Sequence, residues 1–181
     1  FRDGQWHHLF VVYNVSANTA TLYKDGTSIA VVTSAGGSSA NNSPLRIGSR
    51  GGSYPISGSL DDVRIYSRAL SANEVSSLYN AYSAKVKAPN NTGLVGYWSF
   101  DDCRRDKASD SSGYGNTGTL TNFALSGSTS NYISGSQAKR GCALNFDGTN
   151  DYVDAGVMSS MESQSALTIM SWITMRVQDG R

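Results

Sequence analysis

Short apolar-rich runs, alternating or continuous and broken by turn residues, recur along this chain, which is the pattern of strands rather than helices. Trp6–Tyr13 is rich in apolar residues, Thr19–Lys24 alternates, and Thr27–Thr33 is largely β-branched and small. Asp25-Gly26 lies between the last two runs and predicts a tight hairpin, because the favoured two-residue turns need positive φ. Pro44–Gly48 predicts a short strand at a sheet edge, where a missing N–H does no harm. Alternation in Leu60–Tyr66 assigns Asp61, Val63 and Ile65 to one face and Leu60, Asp62, Arg64 and Tyr66 to the other. Leu94–Phe100 and Ala166–Met175 predict two further strands. Ala143–Phe146 and Asp151–Asp154 predict a hairpin around Gly148-Thr149-Asn150, while Ser34–Asn42, Asp110–Gly118 and Phe123–Gly141 read as polar loops.

One helix is expected. Ser71-Ala-Asn-Glu74 has the spacing of a capping box, in which the serine hydroxyl and the glutamate carboxylate each take the other's backbone amide. Val75, Leu78, Tyr79 and Tyr82 then follow helical spacing. Residues 85–92 have no period and contain Pro89, so they read as a linker. Short strands with a single helix argue for an all-β, antiparallel β-sandwich and against alternating βαβ units.

Composition narrows the function classes. The 181 residues carry a net charge of +1 and only 16% charged residues, with no basic run, so no strong field is available for nucleic acid or an anionic membrane. No apolar stretch approaches a membrane span. The chain starts at Phe1 rather than at a methionine, and it is read as part of a longer polypeptide. Abundant Gly, Ser, Thr, Asn and Tyr point to an extracellular or cell-surface module. Cys103 and Cys142 either close a disulfide in an oxidising compartment or are two separate buried thiols; both readings stay open.

The order of segments is informative. GQWHHLFVVYN, TATLYKDG, SPLRIGS and SGSLDDVRIYSRALSANEV fill residues 1–84, and GLVGYWSFDD, DSSGYGNTGTL, ALNFDGTNDYVDAG and ALTIMSWI fill residues 93–181. Both sets resemble the laminin G-like (concanavalin A-like lectin/glucanase) jelly-roll family. In that family the WSFD and NFDG segments come first, and the GQWHH and LDDVRIY segments come last. The resemblance therefore implies the closing half of one module (1–84), a linker (85–92) and the opening half of the next (93–181), or a circular permutation of one module. The two halves are expected to combine into one composite jelly-roll sandwich. The resemblance also implies a non-catalytic module that binds glycan or extracellular protein, spaces its neighbours in a multi-module chain, or accompanies a carbohydrate-active enzyme.

The candidate chemistry follows from residue types. Asp61 and Asp101 match positions near which the family carries structural calcium, and Asp110 and Asn116 frame a turn-rich loop that could add oxygens. The alternative is that these residues only accept backbone amides at strand ends and in Asx turns. Tyr54, Tyr114 and Tyr132 are read as loop aromatics placed to meet a sugar, whereas Trp6, Trp98 and Trp172 lie inside strands and are expected in the core. Adjacent His7 and His8 point to opposite faces of a strand and cannot chelate one ion. A glycosidase needs two converging carboxylates. Here the only glutamates, Glu74 and Glu162, lie far apart, and Asp61 and Asp62, as strand neighbours, are expected to face away from each other. The sequons at Asn14, Asn41 and Asn90 matter only in a eukaryotic secretory pathway.

Overall fold

The computed structural model describes residues 2–33, 43–49, 54–84, 91–103, 106–124, 131–162 and 164–176. The expected linker lies outside the described residues except for 91 and 92, as do the Ser34–Asn42 loop and the sequon asparagines 41 and 90. The strands are β1 (His7–Asn14), β2 (Thr19–Lys24), β3 (Thr27–Thr33), β4 (Arg46–Ile47), β5 (Ser57–Tyr66), β6 (Leu94–Trp98), β7 (Lys107–Ala108), β8 (Gly118–Thr121), β9 (Asn131–Ser134), β10 (Cys142–Asp147), β11 (Tyr152–Asp154) and β12 (Ala166–Met175). The helix α1 spans Ala72–Ala84. The protein is an all-β sandwich of antiparallel sheets with one helix.

The larger sheet runs β3-β2-β1-β12-β5-β10-β9, with β6 also paired to β5; the smaller runs β4-β11-β8-β7. Strands from either side of residues 85–92 therefore alternate within one sheet. β12 lies between β1 and β5, with His8 opposite Trp172 and Trp172 opposite Asp61. On its other side β5 is shared by two strands: β10 pairs with Ser57–Leu60, and β6 with Val63–Tyr66.

The turn between β2 and β3 has positive φ at both Asp25 (51°) and Gly26 (79°), as a two-residue hairpin demands. The second expected hairpin does not form. β10 joins the larger sheet and β11 the smaller, so Gly148-Thr149-Asn150 arches between sheets. Phe146 and Val153, buried at the two ends of that arch, enter the same core, and two-sheet burial outweighs local pairing. The Phe123–Gly141 segment is not one loop, because β9 lies within it and pairs with β10.

Two cores flank the larger sheet. Leu60, Val63, Ile65, Trp98, Leu144, Phe146, Val153 and Ile173 fill the space between the sheets. Val75 and Leu78 of α1 pack with Phe10, Val12, Tyr66, Leu70, Leu94 and Met170 on the other face. α1 starts with the expected capping box: Ser71 N donates to Glu74 Oε2 at 2.9 Å, and Glu74 N to Ser71 Oγ at 3.3 Å. Arg68, bonded to both Glu74 oxygens, and the Ser71 amide hold the Glu74 carboxyl down at about 2.

A buried threonine fastens the approach to α1 onto β12. Thr168 Oγ1 accepts the Leu70 amide at 3.0 Å and donates to the Arg68 carbonyl at 2.8 Å. Thr168→Val keeps the shape and strands both groups, so it should cost about 2 kcal/mol in denaturant unfolding. A loss under about 0.5 kcal/mol would mean that these bonds do not hold α1 to the sheet.

Candidate functional site

The chemistry concentrates where β6 and β10 meet on β5. Two residues of β5, Asp62 and Val63, stand against Ser171 alone on β12, and Asp62 has φ 50°. This is a β-bulge, which re-aims side chains locally. It overturns the face assignment expected from alternation. Leu60 joins Val63 and Ile65 in the inter-sheet core, while Asp61, opposite Trp172, shares the other face with His8 and Phe10. The Asp62 carboxylate also reaches that side, accepting from Tyr97 Oη at 2.6 Å with Arg64 Nη2 at 3.7 Å. Neighbouring carboxylates expected to diverge are thus brought within each other's field.

Asp61 is 0% exposed. Its Oδ2 accepts the Arg140 amide at 2.9 Å, and its Oδ1 has no hydrogen-bond partner among the described residues. Burial, and then the negative charges of Asp62 and Asp101, push its carboxyl up to about 8. Beside it the Trp172 ring is stacked on buried His8 at 4.5 Å and capped by Lys139 Nζ at 3.8 Å. Burial and the Arg64 charge hold His8 down at about 3, so the imidazole is neutral. His7 is engaged separately, with Asp25 Oδ2 at 2.7 Å and Asp3 Oδ2 at 2.9 Å on its two ring nitrogens.

Over this seam lies a hollow of about 360 Å³ lined by Asp62, Arg64, Asn91, Tyr97, Asp101 and Arg140. Arg64 sits 4.2 Å above the Tyr97 ring. Burial and the Asp62 charge push the Tyr97 hydroxyl up to about 12, so it remains a donor. Spacing along the chain gave no hint of this hollow, because its walls come from segments that meet only in the sheet.

The four residues expected to hold calcium are engaged in separate ways. Asp110 is the hub of its loop, accepting from the Tyr97, Ser112 and Asn116 amides and from the Ser112 hydroxyl at 2.8–3.0 Å. Burial pushes its carboxyl up, but these donors outweigh burial and hold it below the usual range. Asn116 donates its side-chain amide to the Val95 carbonyl, and its own carbonyl accepts from the Trp98 indole. Asp101 accepts the Cys142 amide at 3.1 Å. Among the described residues no group of three or more His, Cys, Asp or Glu is placed to hold a metal ion. Cys103 and Cys142 form a disulfide, with Cα atoms 5.9 Å apart, that joins the turn after β6 to the start of β10.

The three tyrosines have different settings. Tyr54 is 84% exposed beside a second hollow, of about 560 Å³, lined also by Ser43, Pro44, Arg46, Gly48, Ser49 and Ile56. Gly48 shapes its base: φ is 102°, and a Cβ there would run into the Phe146 ring. Arg46 rests 4.9 Å over Tyr152, with Asp154 at 3.7 Å. Tyr114 is exposed on the Asp110 loop. Tyr132 departs from the expected loop position: it belongs to β9, is half-buried, and its hydroxyl donates to the Lys107 carbonyl. Trp98 and Trp172 are buried, and Trp6 is half-buried.

Residues 1–76 match the family described as the concanavalin A-like lectin/glucanases superfamily, laminin G type. The match covers less than half of the 181 residues and marks residues 1–76 as similar to that superfamily. No curated protein and no solved structure gives a match to it.

Asp61 has a distinctive pH signature. Between its unfolded value near 3.8 and its folded value near 8, the native state keeps a proton that the unfolded state has lost. Stability therefore falls as pH rises through that window. Asp61→Asn should flatten this part of the profile and raise the melting temperature at pH 8. An unchanged slope would show that Asp61 is ionised in the fold.

Proposed function

We propose that the chain is a non-catalytic, extracellular binding module that recognises glycan through the Tyr54 hollow. The observation that carries this reading is an almost fully exposed tyrosine beside a polar concavity containing Arg46. An aromatic face covers the apolar face of a sugar ring, while a guanidinium and hydroxyls take its oxygens. The superfamily match supports a carbohydrate- or protein-binding role, and the disulfide fits an oxidising compartment. No helix among the described residues is long and apolar enough to cross a membrane.

The module is read as composite, with the closing half of one laminin G-like unit completing the opening half of the next. Neighbouring modules of the same polypeptide would then be joined through shared sheets. The interleaving of β1, β12, β5 and β10 supports this reading.

Asp61, Asp62 and Asp101 raise a hydrolytic alternative, since one carboxyl is held protonated beside others, as in a general acid pair. Asp61, however, is fully enclosed and does not line the hollow, so it cannot reach a scissile oxygen. That enclosure supports the non-catalytic reading.

A glycan array probed with the full chain should give saturable binding to a defined class. Tyr54→Ala should weaken that binding about 10- to 30-fold without lowering the melting temperature. Retained binding in the variant, or sugar release from the bound polysaccharide, would overturn the reading. Because Asp110 already accepts four hydrogen bonds within its own loop, melting temperatures in calcium and in chelator should coincide. A calcium-dependent rise would show that the carboxylates rearrange around an ion.

A further inference from the structure

The hollow over Tyr97 is lined by charges of both signs. Its floor is closed by Tyr97, Asp62 and Arg64, which are engaged with one another. Its rim is different. The Arg140 side chain has no ion-pair or hydrogen-bond partner among the described residues; only its backbone amide is engaged, with Asp61. Asp101 uses Oδ1 for the Cys142 amide and makes no salt bridge among those residues. The Asn91 side-chain amide is uncommitted as well. Arg140 and Asp101 thus line one hollow without pairing with each other.

We propose that this hollow binds a small zwitterion, an α-amino acid with a small or polar side chain. Its carboxylate meets the Arg140 guanidinium, whose planar fork suits two-point recognition of a carboxylate. Its ammonium meets the open side of Asp101, and Asn91 supplies a further donor and acceptor. The charges of Asp62, Arg64, Asp101 and Arg140 sum to zero, so a lone anion or cation gains from one side and is opposed by the other. A neutral sugar would leave both rim charges without an ionic partner, whereas a zwitterion satisfies both. The volume of about 360 Å³ lies within the range of small-ligand sites. The polar lining offers an apolar side chain nothing to pack on. The site shares no residue with the Tyr54 hollow, so it stands or falls independently of the glycan reading.

The test is an NMR titration of the isotope-labelled full chain with L-serine, L-serine methyl ester and N-acetyl-L-serine. Serine should give saturable shifts at the Arg140 backbone amide and the Asn91 side-chain amide. Each derivative, which lacks one of the two charges, should bind at least tenfold more weakly. Arg140→Gln and Asp101→Asn should each weaken serine binding by at least tenfold, while Tyr54→Ala should leave it unchanged. Asp101→Asn keeps an acceptor for the Cys142 amide; if it still fails to fold, Arg140→Gln and the two derivatives decide the question. The proposal is overturned if serine gives no saturable shift at about 10 mM, a decade weaker than millimolar affinity. It is equally overturned if the derivatives bind as well as serine, or if methyl glycosides saturate these positions and serine does not.

Discussion

The larger sheet hangs on the pairing of β5 with β12. β12 holds β1 on one side and β5 on the other, and β5 carries β10 and β6 on its far edge. Nine of the ten residues of β5 are buried. Such burial stabilises only if each backbone group has a partner, and three separate strands supply them. Remove β12, and β1 to β3 lose their connection to the rest of the larger sheet.

The same arrangement creates the chemistry. Two strands share one edge of β5 end to end, and the carboxylates sit at the junction. The bulge turns Asp61 and Asp62 to one side, and the disulfide between Cys103 and Cys142 holds the flanking segments together. A fully enclosed Asp61 is tolerated because it stays protonated, while Asp62 is steadied by Tyr97 and Arg64. The polar hollow is thus a by-product of how the sheet is closed, and its rim groups are left for a ligand.

The strands themselves were legible from the chain. Thr19–Lys24, Thr27–Thr33 and Ala166–Met175 form strands over the residues that their patterns mark, and Ser71 and Glu74 cap α1 as their spacing requires. What failed were features fixed by distant partners. The face of Asp61 depends on a one-residue bulge defined by Trp172 and Met170, more than a hundred positions later, and no local pattern encodes it. The Gly148-Thr149-Asn150 turn has hairpin chemistry, yet Phe146 and Val153 are drawn to opposite walls of one core. Tyr132 sits in polar sequence, and only its pairing with Leu144 makes it part of a strand. Tyr54 was identifiable as an aromatic in a loop, but the hollow beside it, and the meeting of Arg140, Asp101 and Tyr97, are tertiary.

Native-state hydrogen exchange tests most directly whether the sheet is one cooperative unit. If it is, the central amides of β1, β5, β10 and β12 should exchange only through global unfolding, with one shared free energy and one denaturant dependence. The contrary result would be protection of β1 and β5 with separate, lower-energy opening of β10 and β12. That would mean that residues before and after 85–92 fold as independent pieces.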